Sequence, residues 1–575
     1  MPKLFHLHIE NFRGIEKFDH TFNEGLTCII GRGDSGKTTI LDAISYVLSP
    51  LYTIPFTDSD FHDCNVESPI KIEATLTDLT DEILRKVGER IIGVKNGEII
   101  TSMTSPEAQD GITDAVTIQL KVEKDLEPEW YLLSADGVEP KPIRASEREL
   151  FNCFYISEYN DRHFTLSKGT PLSSLFKQKA EKKKDVLNTE LIAELGRHAK
   201  QGFEDAIQGK DVFQDVIDAI TENASYLGLQ SAAVKASIDQ REFLLRENKI
   251  ALHQDDNTPL RQLGKGSKRL LSLAIQLSLT EPTGIILIDE IEQGLEPDRV
   301  QHIVSTLKKK TGLQVILTTH SSNAIVELSC SDIYIRRNNI SGLMKIPLTD
   351  EMQGTLRKNP EAFFAKRVLI CEGATEVGII RGLNTYALQS KGKSLAYLGI
   401  LYADGAGKNL IKYVPEFAGL GYDVCLFCDS DASDVNAKKD EFKSQGIVIA
   451  DCDDGLAIEQ QLFNDLPWEA VVKLIEYHLD DFSHDSKILY ECVKNLIGSE
   501  IQYSENWWQI ESQQLRKAFS EKAKADKNKG GAWFKDIEHG EILASVMLSN
   551  LKGIDKSSQL HTILKVLIRW IFSQV

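Results

Sequence analysis

The chain has 575 residues, of which 42% are hydrophobic, and its formal net charge is −19. A globular chain of this length can bury several hydrophobic cores, and the usual domain size predicts roughly three or four domains. The acidic balance excludes a surface that binds polyphosphate all over, because DNA affinity comes mostly from Lys and Arg side chains that neutralise phosphates. Any contact with nucleic acid is therefore expected on local basic patches or through bridging metal ions.

The cysteines and the apolar runs further limit the class of protein that the sequence can encode. The nine cysteines have no spacing framework, and the start of the chain lacks the residue order of a secretory signal, which predicts a cytoplasmic protein. The longest apolar runs, such as Gly284–Ile288, are too short or too interrupted for a bilayer, which needs about 20 residues, so no membrane span is expected. Cys425 and Cys428 lie in the apolar run DVCLFCD without a matching second pair. This pattern favours a buried strand over zinc or redox chemistry.

In chain order, the first fifty residues alternate short apolar strands with turns. The segments LFHLHIENFRG and LTCIIG are predicted strands, and TTILDAISYVLS is the helix that follows. From Pro69 to Tyr159, the segments IKIEATLTDL, AVTIQLKVEK and EWYLLSADG alternate apolar and polar residues, as antiparallel strands do. We therefore expect a β-rich lobe within residues 1–170.

The remaining chain changes pattern three times. Charged, amphipathic stretches predict a helical insertion over residues 171–252, which would serve dimerisation or bind a partner. The alternation of strands and helices resumes over 253–350, and a second α/β unit with RVLICEG and VCLFCDSD as buried strands is predicted over 361–470. Residues 471–575 are mostly helical in pattern. The predicted fold class is α/β with a helical C-terminal region.

The segment GRGDSGKT predicts a phosphate-binding loop, because it follows an apolar strand and opens a helix. Its glycines let the backbone turn amide groups toward phosphate oxygens, Lys37 can reach the β- and γ-phosphates, and Thr38 can ligate Mg²⁺. The predicted ATP-binding residues of this loop are Gly31, Gly33, Asp34, Ser35, Gly36, Lys37 and Thr38.

Asp289 ends the apolar run IILI, where a Walker B carboxylate that holds Mg²⁺ is expected. Glu290, beside it, is placed to orient or deprotonate the attacking water. The segment LGKGSKR (Leu263–Arg269) precedes the predicted strand IILI, and the segment TTHS, which contains His320, follows it.

That order of motifs resembles the ABC-type ATPase heads of the SMC and RecF class. The resemblance implies that a signature loop, with Gly266 and Ser267, contacts the γ-phosphate of a second subunit, and that His320 is the switch histidine. It therefore implies a homodimer or a larger homo-oligomer. The usual signature reads Ser-Gly-Gly-Gln, where this chain has Gly-Lys-Gly-Ser. A long tethering arm is not expected, because the sequence between the two motifs lacks sustained heptads.

Two further strand ends predict a second acidic site. Glu372 follows the strand RVLIC, and Asp429 and Asp431 follow the strand VCLFC. The carboxyl ends of parallel strands are where α/β sheets place their sites. Carboxylate oxygens suit Mg²⁺ or Mn²⁺, and such ions can stabilise the attacking and leaving oxygens of phosphodiester cleavage.

The sequence VLICEGATE, then YADGAGK, then DSDAS resembles the Toprim domain of topoisomerases, primases and certain nucleases. An ATPase head followed by Toprim, with EGATE, NFRG (Asn11–Gly14) and IEATLTDL (Ile72–Leu79), resembles the OLD (overcoming lysogenization defect) family of ATP-dependent endonucleases. This resemblance covers nearly the full length of the chain.

The OLD resemblance implies further site residues, since in that family additional carboxylates hold a second metal and a late lysine assists. Glu376 matches the second glutamate of the motif, Glu459 matches the downstream carboxylate, and Lys535 matches the lysine. The alternatives left open are Asp451 and Asp453 for the carboxylate and Lys552 for the lysine. The neighbouring Trp533 and Phe534 are interpreted either as core anchors or as a surface that stacks on a splayed base.

The sequence therefore predicts an ATP-binding, Mg²⁺- or Mn²⁺-dependent DNA endonuclease or nickase. The OLD resemblance adds the expectation of a bacterial anti-phage effector that works with a partner protein or noncoding RNA. One alternative is a RecF-like DNA-binding ATPase without nuclease activity, against which the intact Glu372, Asp429 and Asp431 argue. The other is a topoisomerase-like enzyme with Tyr490 or Tyr503 as nucleophile, although no winged-helix pattern surrounds either residue.

Overall fold

The computed structural model of the chain describes residues 2–100, 111–134, 139–151, 153–157, 252–254, 258–280, 284–338, 340–405, 407–481, 486–497, 503–504, 506–524 and 533–573, with short pieces between 164 and 218. They form two compact units, Met1–Thr27 with Thr38–Thr318 and Cys28–Lys37 with Thr319–Val575. Most of the predicted helical insertion, residues 171–252, lies outside the described residues. No helix among the described residues is long and apolar enough to cross a membrane.

The strands of the described residues are β1 (Lys3–Phe12), β2 (Ile15–Thr21), β3 (Leu26–Ile30), β4 (Ile70–Thr77), β5 (Ile92–Lys95), β6 (Glu98–Ile100), β7 (Thr113–Val122), β8 (Pro128–Leu133), β9 (Lys141–Pro142), β10 (Cys153–Ile156), β11 (Gly284–Ile288), β12 (Leu313–Thr318), β13 (Ile333–Arg336), β14 (Leu343–Lys345), β15 (Arg367–Cys371), β16 (Ile400–Asp404), β17 (Asp423–Cys428) and β18 (Val448–Asp451).

The main α-helices are Lys37–Val47, Asp81–Val87, Lys265–Thr280, Pro297–Lys309, Asp350–Lys358, Ala374–Lys391, Leu410–Gly419, Lys439–Ser444, Ile458–Asp465, Trp468–Asp481, Ser486–Ile497, Gln513–Lys524, Ile537–Ser549 and Gln559–Phe572. Four-residue helices are formed by Ala145–Arg148, Ser322–Ile325 and Ser433–Asn436.

The β-rich lobe of the first unit is an eight-stranded antiparallel sheet. Its strands follow the order β2-β1-β4-β7-β5-β6, with β8 paired to β7 and β9 paired to β8. In β4, Ile70, Ile72 and Leu76 are buried at alternate positions, as expected for a strand with one face on a core. Ile72 lies opposite Ile9 of β1 and Leu120 of β7, so apolar side chains line up across three strands. The predicted lobe is confirmed, and β1 and β2 belong to the same sheet.

Most strands of the predicted head are parallel, and β11 and β12 are buried along their whole length. In the first unit, β11 lies between β10 and β12, and all five residues of β11 and all six of β12 are buried. In the second unit, Cys28–Ile30 of β3 pair in parallel with β13, and β14 adds an antiparallel strand to β13. Strands that are buried on both faces read as continuous hydrophobic runs, which is how GIILI and LQVILT read in the sequence.

The second unit also contains a four-stranded, fully parallel sheet in the order β16-β15-β17-β18. Because the strands are parallel, their carboxyl ends lie at one edge, and Cys371 at the end of β15 lies opposite Phe427 of β17. Cys425 and Cys428 are buried within β17, which confirms the interpretation of DVCLFCD as a core strand.

The C-terminal helices pack around this sheet in a single hydrophobic core that extends from Leu369 to Ile571. Helices Ala374–Lys391 and Ile537–Ser549 approach so closely that a Cβ atom on Gly378 would lie 2.6 Å from the Cα atom of Gly540. A Cβ on Gly382 would likewise lie 2.3 Å from the Cβ of Ala544. Small residues spaced four apart thus let two helix backbones touch, and this contact positions the residues just before Ile537.

Candidate ATPase and nuclease sites

The predicted phosphate loop lies between β3 and helix Lys37–Val47. The ammonium of Lys37 is buried within the loop, where it donates hydrogen bonds to the carbonyl oxygens of Gly31 (3.1 Å) and Arg32 (2.9 Å). A Cβ on Gly31 would lie 2.7 Å from the carbonyl oxygen of Arg336, so only glycine fits there. Gly36 has a φ of +85°, a conformation that glycine adopts readily. The loop can exchange the carbonyl partners of its lysine for phosphate oxygens.

The predicted Mg²⁺ pair of the head comes together in the first unit. The hydroxyl of Thr38 donates to the carboxylate of Asp289, with an Oγ1 to Oδ2 distance of 3.0 Å. The hydroxyl of Thr318, at the end of β12, donates to the other oxygen of that carboxylate at 2.6 Å. Glu290 is exposed and has a φ of +45°, a strained conformation of the kind that clusters at active sites.

Sequence reasoning missed Arg269, which connects the signature segment to Asp289 and Glu290. Its buried guanidinium donates to the backbone carbonyls of Asp289 and Glu290 and to the side-chain oxygen of Gln293 at 3.0 Å. The only signal was its position at the end of LGKGSKR. Arg269 therefore ties the signature helix to the Walker B turn.

The signature residues lie in the first turn of helix Lys265–Thr280. Ser267 is exposed there, and Gly266 packs so closely on Gly294 that a Cβ would lie 2.5 Å from the Gly294 carbonyl oxygen. His320 follows β12, as predicted, and its ring lies 6.4 Å from that of Phe364, measured between centroids.

The predicted acidic site lies at the carboxyl ends of β15 and β17. The backbone N–H of Asp429 donates to the side-chain oxygen Oε2 of Glu372 at 2.9 Å, which joins the two strand ends. The loop YADGAGK lies against them, because Gly405 donates to the carbonyl oxygen of Cys371 and Gly407 to that of Glu372. A Cβ on Gly405 would lie 2.5 Å from the Cys371 carbonyl oxygen, which explains the glycine.

Four more predicted residues join this cluster. Glu376, in the first turn of helix Ala374–Lys391, is buried and accepts a hydrogen bond from the Gly373 N–H at 2.9 Å. Glu459 is fully buried, and its Oε1 lies 2.8 Å from the ammonium of Lys535. The other oxygen of Glu459, Oε2, has no hydrogen-bond partner among the described residues. The exposed end of the cluster is Asp431, which pairs with Lys524 at 3.3 Å.

The electrostatics of this cluster favour added positive charge. Burial, together with the charges of Glu459 and Glu372, raises the pKa of Asp429 to about 7. Burial and the charges of Asp429 and Glu459 raise the pKa of Glu376 well above its ordinary value. For Lys535, burial alone would lower the pKa, but attraction to Glu459 outweighs it and the pKa is raised. The carboxylates thus repel one another, and the neighbouring lysines compensate only part of this repulsion.

These observations fit a divalent cation. No three His, Cys, Asp or Glu side chains of the described residues converge closely enough to hold a metal ion by themselves. Mg²⁺, however, usually keeps several waters and binds one or two carboxylates together with substrate phosphates. The unpaired Oε2 of the buried Glu459 and the raised pKa of Asp429 are the features that a bound Mg²⁺ or Mn²⁺ would relieve.

The alternatives that the sequence left open lie elsewhere. Asp451 pairs with Lys439 at 2.9 Å, and Asp453 accepts a hydrogen bond from the Gln461 amide at 3.0 Å. Lys552 is exposed in the short turn Leu551–Gly553. Trp533 and Phe534 are buried in the hydrophobic core, so their interpretation as a base-stacking surface is wrong.

Sequence reasoning also missed Thr375, the fourth residue of EGATE. Its hydroxyl lies 3.0 Å from Oε1 of Glu459 and 2.7 Å from the carbonyl oxygen of Phe534. It therefore links the motif helix to both the downstream carboxylate and the segment that carries Lys535. The signal that could have indicated this approach is the spacing of Gly378 and Gly382 in the same helix.

Three family profiles match the chain. An AAA domain matches residues 6–258, an AAA domain described as a putative AbiEii toxin of a Type IV TA system matches residues 192–327, and the TOPRIM domain of overcoming lysogenization defect protein-like proteins matches residues 363–431. The chain joins an ATPase head to an OLD-like Toprim domain. This ATPase–Toprim chain has the fold class that the sequence predicted.

Two curated relatives match the ATPase–Toprim chain at 24% identity. The Retron Ec83 probable ATPase of Escherichia coli aligns over 397 residues, which are 58% of this chain and 71% of the relative. The DNA replication and repair protein RecF of Oenococcus oeni aligns over 358 residues, which are 55% of this chain and 92% of the relative.

Solved structures that resemble the chain include the Smc head domain of Pyrococcus furiosus bound to the C-terminal domain of ScpA, with 16% identity and a TM-score of 0.34. That match covers 61% of this chain and 98% of the other. Another is the recombination mediator protein RecF with ATPrS, with 14% identity and a TM-score of 0.32, over 60% of this chain and 98% of the other.

Proposed function

We propose that this ATPase–Toprim chain is a divalent-metal-dependent DNA endonuclease or nickase whose activity depends on the nucleotide bound to its head. The observation that carries the proposal is the cluster of carboxylates, from fully buried to exposed, together with Lys535 at the carboxyl edge of the parallel Toprim sheet. Its members are Glu372, Glu376, Asp429, Asp431, Glu459 and Lys535. Several carboxylates that repel one another destabilise a fold, so packing alone does not explain them. Phosphodiester cleavage, in contrast, needs cations held next to a charged phosphate.

Each residue of the cluster has a proposed role. Glu372, Asp429 and Asp431 would hold one Mg²⁺ or Mn²⁺, and Glu376 with Glu459 would hold a second. Bound ions would supply Lewis-acid stabilisation of charge on the phosphate. Lys535, which is only partly exposed beside Glu459, would neutralise a phosphate oxygen and orient the backbone of the DNA.

In the head, Lys37 would bind the β- and γ-phosphates, and Thr38 with Asp289 would hold Mg²⁺. Glu290 would orient or deprotonate the attacking water, and His320 would sense the γ-phosphate. Gly266 and Ser267 would complete the site of a second subunit, so the active form would be a homodimer or larger. Similarity to the RecF protein supports this arrangement of the head and its binding of DNA.

Contacts within the second unit support control of the nuclease by ATP. His320 lies against Phe364, in the short helix Pro360–Phe364 that leads into β15 and Glu372. Arg32 of the phosphate loop packs against Gly399, where a Cβ would lie 2.4 Å from its guanidinium nitrogen Nη1. The Gly399 carbonyl in turn accepts hydrogen bonds from the first residues of β15. His320 and Arg32 thus each contact a residue that adjoins β15, the strand that leads to Glu372.

The decisive experiment is cleavage of supercoiled and linear DNA with Mg²⁺ or Mn²⁺, with and without ATP. We compare wild type with Glu372→Ala and with the double variant Asp429→Ala, Asp431→Ala. Metal-dependent cutting that both variants lose supports the proposed site, and the ATP series gives the sign of control. Equal cutting by wild type and variants would place the nuclease elsewhere and overturn the proposal.

The proposed control of DNA cleavage by ATP is tested separately. Phe364→Ala should keep ATP hydrolysis and metal-dependent cutting but reduce the difference in cutting with and without ATP. Leu348→Ala is the control, because Leu348 is 66% exposed and equally apolar. An unchanged ATP response in Phe364→Ala would contradict this route of control.

The Retron Ec83 ATPase relative supports a place in an anti-phage defence system with a partner protein or noncoding RNA.

The RecF relative supports the alternative of a DNA-binding ATPase that does not cut, which is the outcome if wild type is inert in every condition. Of the two tyrosines of the topoisomerase alternative, Tyr490 is unsuited as a nucleophile, since it is buried and packs between Tyr503 and Trp507, whereas Tyr503 is exposed.

A further inference from the structure

Lys439 is a buried cation directly beneath the turn that carries Asp429 and Asp431. It begins the short helix Lys439–Ser444, and only 7% of the residue is exposed. Its ammonium lies 2.7 Å from Oγ of Ser430, 2.9 Å from the carboxylate of Asp451 and 3.4 Å from the carbonyl oxygen of Asp429. An ammonium has three donors, and each of the three has an acceptor here.

The residue that Lys439 holds is the centre of the DSD turn. The Ser430 hydroxyl donates a hydrogen bond to the carbonyl oxygen of Cys452 at 2.6 Å. The Ser430 backbone is held on both sides, since its N–H donates to Leu456 and its carbonyl accepts from Gly455. A chain of hydrogen bonds therefore runs from Asp451 at the end of β18, through Lys439 and Ser430, and back to Cys452.

From this geometry we infer that Lys439 is a positioning residue for the metal-binding carboxylates. With Asp451 as its counter-ion, it holds the turn that follows β17 so that Asp429 and Asp431 keep their orientation toward a divalent cation. The inference rests on the proposed function of that site. It also gives Asp451 a role, as the partner of Lys439 instead of a metal ligand.

The positioning role and a purely electrostatic role predict opposite results. A fixed positive charge near a cation site repels the cation, so its removal alone would tighten metal binding. Loss of an outer-shell residue that orients ligands typically weakens metal affinity by about 10- to 100-fold. The sign of the change in affinity after removal of Lys439 therefore separates the two roles.

The test measures Mn²⁺ binding to the full-length chain by the electron paramagnetic resonance signal of free Mn²⁺, with no DNA present. Lys439→Met keeps the length of the side chain and removes its charge, and we expect Mn²⁺ affinity to fall about 10- to 100-fold. Lys439→Arg should recover part of that loss. The matched control is Lys438→Met, because Lys438 is the adjacent, exposed lysine that pairs with Glu441, and its affinity should equal that of wild type.

The thermal unfolding of each variant is measured in EDTA to establish that it folds without metal. If Lys439→Met does not fold, Asp451→Asn carries the test, since it keeps the shape of the partner and removes its charge. Folded variants that bind Mn²⁺ as tightly as wild type, or more tightly, overturn the inference and leave the nuclease site standing. A wild type that binds no Mn²⁺ overturns the proposed metal site itself, and the inference with it. A wild type that binds Mn²⁺ without cutting DNA refutes the nuclease and leaves the role of Lys439 supported by the affinity series.

Discussion

The ATPase head and the Toprim domain carry opposite charges at their candidate sites. In the head, the ammonium of Lys37 sits inside a loop whose backbone carbonyls hold it until an anion competes for it. In the Toprim domain, burial and the charges of neighbouring carboxylates raise the pKa of Asp429 to about 7. In the proposed function, the first region binds phosphate and the second binds a divalent metal ion. Variants that remove charge should therefore impair one region and spare the other.

The largest expected effect is the loss of DNA cleavage in Glu372→Gln. The change keeps the shape of the side chain but removes the negative charge, and we expect cleavage to fall at least about 100-fold, as for other groups that stabilise transition-state charge. Nucleotide affinity, measured with a fluorescent ATP analogue, should stay at the wild-type value. A Glu372→Gln variant that lost both DNA cleavage and nucleotide affinity would contradict the separation of the two sites.

The reciprocal change is Lys37→Ala, which should reduce ATP affinity by about 10- to 100-fold or more, because a charge-assisted contact to phosphate contributes about 1.5–3 kcal/mol. Mn²⁺ binding to the Toprim cluster should be unchanged. Equilibrium binding of both ligands checks the prediction, and unaltered nucleotide affinity would refute the assignment of the phosphate loop.

A third variant targets packing instead of charge. Gly378→Ala places a methyl group 2.2 Å from the carbonyl oxygen of Ile537, so the two helices must separate. We expect a loss of about 1–3 kcal/mol in the free energy of unfolding, together with weaker Mn²⁺ binding, because Lys535 precedes the displaced helix. Gly354→Ala is the control: a Cβ there would meet nothing within 4 Å, so the variant should be neutral or slightly stabilised. Equal melting temperatures in denaturation scans would contradict the close packing.

The smallest expected effect is a pH dependence of stability in the metal-free protein. The folded-state pKa of Asp429 is above its ordinary value of 3.8, so its contribution to stability is fully present below about pH 4 and is lost as pH rises through about 7. Asp429→Asn should remove this part of the decline in melting temperature between pH 5 and 8, and Mg²⁺ should lessen it in wild type. A decline that is identical in wild type and variant would assign it to other groups.

Much of each site could be predicted because its chemistry is local. The run from Gly31 to Thr38 and the strand that precedes Asp289 could each be predicted from adjacent residues, since a strand, a turn and a helix follow from patterns a few residues long. The same holds for Glu372 and Asp429, because parallel strands bring their carboxyl ends to one edge. The resemblance to OLD proteins then indicated Glu459 and Lys535, which the structure brings to 2.8 Å.

By itself, then, the sequence determined the α/β fold class, the two motif sets and the strand ends that bear them. Only the tertiary structure decided which distant groups meet. Thr375 reaches the carbonyl oxygen of Phe534, 159 residues later, because two glycine-bearing helices touch. Lys439 reaches Ser430 because a short helix folds back under the DSD turn. Such contacts depend on how closely whole elements pack. That closeness is set by side-chain volumes on both surfaces at once, which no local pattern contains.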